Sequence, residues 1–258
     1  MATFPIYQFY VELEGFKPKM WRRFQIMNDI TLARLAYVLM VLFELRNRYS
    51  YEFRKDELEI FLKKHPEYAR NPEMLEQLNR EFRKVRYGIT TTKNIYMYRT
   101  PEGYEELKNA EEIKIRDVIC YENEEFFFYY DPEINWKIKI VLEKIFVDKN
   151  LFTKELPKVI DGNGYGIIEN KAGCKDLEKF RSELKKSRWV NKTKYKNFCI
   201  VGENGRFYFD KFNVDDMNYR IKILPKALKD YYENGGELSN KQRRVLKRNY
   251  TNTMYAKK

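Results

Sequence analysis

The chain has 258 residues, of which 43% are hydrophobic, 34% charged and 16% aromatic, a mixture too apolar for a disordered segment and too charged for a membrane-embedded one. Fifty Lys and Arg stand against 38 Asp and Glu, a formal net charge of +12, which favours polyanions through counterion release or acidic protein faces through steering. The longest apolar run, residues 35–43, is nine residues long, whereas a membrane-crossing helix needs about 20, and the first five residues lack the basic-then-apolar layout of a secretion signal, so a globular protein of the cytoplasm is expected.

Ile6 to Leu13 is rich in β-branched and aromatic residues and is closed by Gly15, which predicts a strand. A second short strand follows the turn at Lys17-Pro18 and runs through Trp21, Arg22, Arg23 and Phe24 to Ile26. Trp21 is expected in the core, with the two arginines paired to Glu12 or Glu14. Asp29 or Thr31 can accept the unpaired amides of a first helical turn, and Leu32, Leu35, Leu39, Leu42 and Phe43 then recur at helical spacing. Tyr49 to Phe53 predicts another strand and Asp56 to Lys64 a helix ended at His65-Pro66. Pro72 opens a helical stretch through Leu75, Leu78, Phe82 and Val85, and residues 70–118 read as a helical insertion.

The aromatic run Glu125 to Tyr130 and the alternating run Trp136 to Val147 are separated by Asp131-Pro132-Glu133, which predicts a hairpin. Asp161 to Gly166 holds three glycines in its last five positions and reads as a loop. Asp176 to Lys186 predicts a helix with Leu177, Phe180 and Leu184 inward. Asn213 to Asn218 reads as a short capped helix, Leu224-Pro225 as a chain break, and residues 240–250 as a last helix begun by Ser239. The sum is an α+β fold, a mixed or antiparallel sheet packed with several helices, over residues 1–225, followed by a basic helical extension over 226–258.

Several tracts resemble the plasmid pRiA4b ORF-3-like family. The opening carries Lys17-Pro18-Lys19-Met20-Trp21-Arg22-Arg23 and then Asp29-Ile30-Thr31-Leu32, similar to the family's Lys-Pro-x-x-Trp-Arg-Arg turn and Asp-Ile-Thr-Leu helix entry. Tyr51-Glu52-Phe53, Tyr130-Asp131 through Trp136 to Ile145, Pro157 to Gly162, and Phe209-Asp210 through Asn218 agree in order. The resemblance spans about residues 6–225. Where the family tends to have Asp-Phe-Gly-Asp-x-Trp-x-His, this chain has Asp131 to Ile138 with neither the glycine nor the histidine, and the family's Cys-Pro-Pro-Glu-Asp-Cys-Gly-Gly loop is replaced by Gly166 to Gly173. The resemblance implies a mobile-element context and no particular reaction.

Cys120, Cys174 and Cys199 are odd in number and widely spaced, which gives neither a disulfide framework nor a CxxC metal pair. His65 is the only histidine, so a two-histidine zinc site is excluded and a helix-end role beside exposed carbonyls is expected. Ser182 and Ser187 lie beside Arg181 and Arg188, as a recombinase nucleophile would, but on and just past a solvated helix face. Asp131, Glu133, Asp161, Glu169, Asp210, Asp215 and Asp216 could hold a nuclease metal, although their spacing matches no motif and Asp215-Asp216 suits a helix start. The glycine loop at 162–166 lacks the Lys-Ser/Thr of a P-loop. No cofactor is implied.

The binding residues expected are Arg181, Lys185, Lys186, Arg188, Lys192, Lys194 and Lys196, with Trp189 and Tyr195 interleaved, and Lys241, Arg243, Arg244, Lys247 and Arg248 near the C-terminus. Cations neutralise phosphates while flat rings stack on unpaired bases. The expected function is a non-enzymatic protein of a mobile element that binds nucleic acid or a nucleoprotein complex, one form being an anti-CRISPR-type inhibitor. A metal-dependent nuclease or recombinase-like enzyme and a protein–protein adaptor stand as alternatives.

Overall fold

Alternation of inward- and outward-facing side chains builds the sheet. In β1 (Ile6–Leu13), Tyr7, Phe9, Val11 and Leu13 are buried while Gln8, Tyr10 and Glu12 face the other way. The same parity runs through β7 (Glu125–Tyr130) and β8 (Trp136–Phe146), which place Phe126, Phe128, Tyr130, Trp136, Ile138, Ile140 and Leu142 on the inner face. The structure, a computed structural model, describes residues 5–45, 49–55, 57–82, 85–88, 98–100, 103–169, 171–186, 209–210, 212–235 and 239–240.

The remaining strands are β2 (Trp21–Met27), β3 (Tyr51–Lys55), β4 (Val85–Gly88), β5 (Tyr98–Thr100), β6 (Gly103–Asn109) and β9 (Lys158–Asn163). They join one nine-stranded sheet in the order β5-β6-β4-β3-β7-β8-β1-β2-β9. Every neighbouring pair is antiparallel except β4 and β6, so the α+β fold carries a mixed sheet. The expected hairpin is β7–β8, with Tyr130 opposite Trp136. Its turn places Asp131 and Asn135 at φ 62° and 59°, and the Asp131 carboxylate accepts the amides of Glu133 and Ile134 at 3.2 and 3.4 Å.

Helices cover the inner face. In α1 (Leu32–Leu42) every residue but Arg34 is buried, the mark of a helix enclosed on all sides. Thr31 caps it by accepting the Arg34 amide at 3.3 Å. Against α1 packs α5 (Val214–Asn234), capped by Asn213 and ended at Gly235 in a left-handed conformation. The expected break at Leu224-Pro225 does not occur. A proline inside a helix costs about 3 kcal/mol, but the stripe Met217, Ile221, Leu224 and Leu228 is buried on both sides of Pro225, and that burial offsets the lost bond. Residues 226–234 therefore continue the fold and do not start a separate extension.

The region 70–118 also departs from the helical reading. Helix α2 (Glu57–Lys64) precedes α3 (Pro72–Glu81), which is capped by Asn71, but the chain then enters β4, and β5 and β6 follow. Val85, apolar and at a helical spacing from Leu78 and Phe82, instead pairs with Lys55 of β3. Similarly, Asp161 to Asn163 are strand and not loop. Gly162 is required there by close packing, since a Cβ would lie 2.7 Å from the Phe212 ring and 2.9 Å from the Arg22 side chain. The outer edge of β9 is closed by Asn218 of α5, whose amide accepts the Val159 N–H at 2.8 Å and donates to the Val159 carbonyl at 3.0 Å.

Candidate nucleic-acid interface

The expected basic patch begins on α4 (Cys174–Lys186), which buries Leu177, Phe180 and Leu184 as predicted. Arg181 is committed elsewhere than to a ligand. Its Nε and Nη2 donate to Asp210 at 2.6 and 3.0 Å, and Lys185 reaches the same carboxylate at 3.0 Å. Partial burial would raise the Asp210 pKa, but the hydrogen bonds from Arg181 and Lys185 outweigh it and hold the carboxyl below its ordinary value. Arg181 thus belongs to a structural clasp, whereas Lys186 is exposed.

The helix also presents two lysines that the sequence reading passed over. At 100° per residue, Lys175, Lys179, Ser182 and Lys186 fall on one stripe opposite the apolar one, and all four are exposed. None of the three lysines has a carboxylate partner among the described residues. Spacing of four between Lys175 and Lys179 was the available signal. Arg188, Trp189, Lys192, Lys194, Tyr195, Lys196, Lys241, Arg243, Arg244, Lys247 and Arg248 lie outside the described residues.

The outer face of the sheet contrasts with this stripe. Arg23 donates to Glu143 at 2.6 Å, Lys137 meets Glu14 at 2.7 Å, Lys19 meets Glu12 at 3.0 Å and Lys139 pairs with Glu125. Tyr10 stacks on Trp21 at 5.6 Å with the Arg23 guanidinium over both rings. Trp21 is therefore on this face and not in the core, and the acid that meets Arg23 is Glu143 and neither Glu12 nor Glu14. Arg22 is the core residue of the three. It is fully buried and donates to the carbonyls of Leu42, Trp21, Asn163 and Tyr165 at 2.6–2.9 Å, with its guanidinium over the Phe212 ring at 4.2 Å.

Charge is thus separated along the chain. Residues 187–208 hold five Lys and Arg against one Glu, and residues 241–258 hold seven with no acid, which together make eleven of the twelve net positive charges. The first of these segments follows α4 directly in sequence and leads to Phe209, which is buried against Phe16 and Phe180.

The residues weighed for catalysis are scattered. Asp131 closes the hairpin turn, Asp210 holds Arg181, Asp161 accepts the Gly162 amide, and Glu169 accepts the Tyr130 hydroxyl at 2.8 Å. Among the described residues no group of three or more His, Cys, Asp and Glu could hold a metal ion. Ser182 donates to the Glu178 carbonyl at 2.9 Å on the helix surface. The His65 ring lies against Phe61 at a tilt, and its Nδ1 is 3.4 Å from Glu67, a carboxylate in place of the expected carbonyls. Cys120 and Cys174 are free thiols. Burial pushes the Cys174 thiol up to about 11, so it stays protonated near neutral pH. No helix among the described residues is long and apolar enough to cross a membrane.

The model of the plasmid pRiA4b ORF-3-like protein family matches residues 5–217. Among solved structures, a protein of unknown function from Methanosarcina mazei Go1 is similar in fold, with a TM-score of 0.56 and 19% identity over 83% of this chain and 98% of that one. No curated protein matches the chain.

Proposed function

The chain belongs to the plasmid pRiA4b ORF-3-like family, and from that premise we propose that it is a non-enzymatic mobile-element protein that binds nucleic acid or a nucleoprotein complex. The observation that carries this reading is the separation of charge. Arg23, Lys137 and Lys139 on the outer sheet face are paired with carboxylates, while the α4 stripe of Lys175, Lys179 and Lys186 lacks acid partners among the described residues and is followed in sequence by the basic segment 187–208. Cations of this kind bind phosphates by releasing counterions, a term that is independent of sequence and steep in salt. A CRISPR effector, itself a nucleoprotein with guide and target strands, is one partner that such a surface would suit.

The test is a salt series of anisotropy titrations with labelled single-stranded RNA and duplex DNA. Binding should weaken linearly in log–log form, and Lys175→Gln, Lys179→Gln and Lys186→Gln should each flatten the slope by about 0.7 to 0.9 where the lysine meets a phosphate. A pulldown from host cells with and without nuclease treatment separates free nucleic acid from a nucleoprotein partner. Failure to bind either oligonucleotide at low salt, together with an empty pulldown, would sink the proposal.

A further inference from the structure

The three most exposed large apolar side chains among the described residues, Tyr121 at 73%, Val147 at 58% and Phe152 at 53%, all stand at one end of the sheet. Tyr121 lies in the turn before β7, which is tied to β8 by the Asn123 amide donating to the Leu142 carbonyl and by the Ile145 amide donating to the Glu122 carboxylate, both at 2.7 Å. Val147 and Phe152 belong to the connection from β8 to β9. Leu151 and Leu156 of that connection fold inward on Ile6 and Met27, where β1 begins and β2 ends. Phe152, between them in sequence, faces solvent.

The cations around these rings are unpaired. Lys144, Lys149, Lys154 and Lys158 are all exposed, and none has a carboxylate partner among the described residues. Lys154 instead lies over the Phe152 ring, its Nζ 5.3 Å from the centroid. The acids at this end are held by the backbone. Glu122 accepts the Ile145 amide, Asp148 accepts the Asn150 amide at 2.8 Å, and Glu124, which also pairs with Lys55, accepts the Cys120 and Tyr121 amides at 2.6 and 2.9 Å. Glu155 is half-buried. A flat exposed ring stacks on an unpaired base while a neighbouring lysine neutralises the phosphate beside it. A duplex offers such rings little, because its bases already stack on one another. A protein partner fits less well, because lysine is depleted at protein interfaces.

We propose that this end of the sheet binds single-stranded nucleic acid, with bases stacked on Tyr121 and Phe152 and phosphates at the surrounding lysines. The proposal rests on the nucleic-acid reading above and adds to it a second surface, separate from α4, that selects unpaired strands. Anisotropy titrations of the full chain with labelled oligothymidylate and oligouridylate strands, and with a duplex of equal length, test it. Tyr121→Ala and Phe152→Ala should each weaken binding of at least one strand about tenfold and leave duplex binding and the melting temperature unchanged, since both rings stand mostly in solvent. Phe152→Trp should retain strand binding and Phe152→Leu should lose it, because leucine keeps apolar area without a flat face. The Lys175→Gln/Lys179→Gln/Lys186→Gln variant should instead weaken strand and duplex alike. If the chain binds no oligonucleotide, the nucleic-acid reading falls and this proposal with it. If the chain binds but Tyr121→Ala and Phe152→Ala hold the strands as tightly as the unsubstituted chain, or Phe152→Leu does, this proposal alone is overturned.

Discussion

Arg22 and Arg23 are neighbours on β2, but the sheet puts them on opposite faces, and each charge is accommodated by different physics. Arg22 is sealed in the core, where its donors are satisfied by four backbone carbonyls and its plane by aromatic rings. Arg23 is 32% exposed and is satisfied by one carboxylate across the sheet. The inner arrangement ties β2 to the end of α1, to the end of β9 and to the segment just after it, so its loss reaches three elements. The outer one joins two side chains in partial contact with water, where ion pairs are worth little.

Breaking the inner partner should have the largest effect. Arg22→Met removes the donors to four carbonyls, two of them, on Leu42 and Tyr165, buried, and is expected to cost about 3–5 kcal/mol in urea unfolding, with Arg22→Lys recovering only part of it because an ammonium cannot span the same carbonyls. The buried pair of Glu44 and Arg220 offers a second break on the same face. Glu44→Gln should cost about 3 kcal/mol by leaving a buried guanidinium under-compensated, and Glu44→Gln combined with Arg220→Met should cost less than the two single changes added.

At the sheet edge, Asn218→Ala removes two bonds to Val159 and should cost about 1–3 kcal/mol, with faster hydrogen exchange at the Val159 amide as the local readout. The smallest effect is expected for Arg23→Gln, about 1 kcal/mol or less and shrinking in high salt. That pair also has a pH signature. The Arg23 hydrogen bond holds the Glu143 carboxyl below its ordinary value, so its contribution is present above the unfolded pKa of about 4.3 and is lost as pH falls through the lower folded value. The acid limb of the stability curve should therefore flatten in Arg23→Gln. An Arg23→Gln change as costly as Arg22→Met would abolish the contrast between the faces.

Much of the framework was legible because it repeats locally. The stripe from Leu32 to Phe43, the hairpin around Asp131 and the apolar positions of α4 each carry their own period. Less was legible where two readings share the same residues. Val85 completes a helical spacing with Leu78 and Phe82, and only the backbone bonds offered by β3 make it a strand. Trp21 reads as the core residue by size, although Phe24 and Ile26 share the parity of Arg22 and could have identified it. For the binding surface, Lys186 is exposed as expected, but Arg181 and Lys185 read as free cations until Asp210, far along the chain, was placed beside them.

The sequence by itself determined the family, the α+β class and the excess of positive charge in 187–208 and 241–258, because these follow from composition, short motifs and local periodicity. Only the tertiary structure decided which arginine of β2 is buried, that α5 runs through Pro225, that Asn218 closes the edge of β9, and that Tyr121 and Phe152 stand exposed at one end of the sheet. Each of these depends on groups distant in the chain meeting in space, where burial and hydrogen-bond satisfaction outweigh local preference.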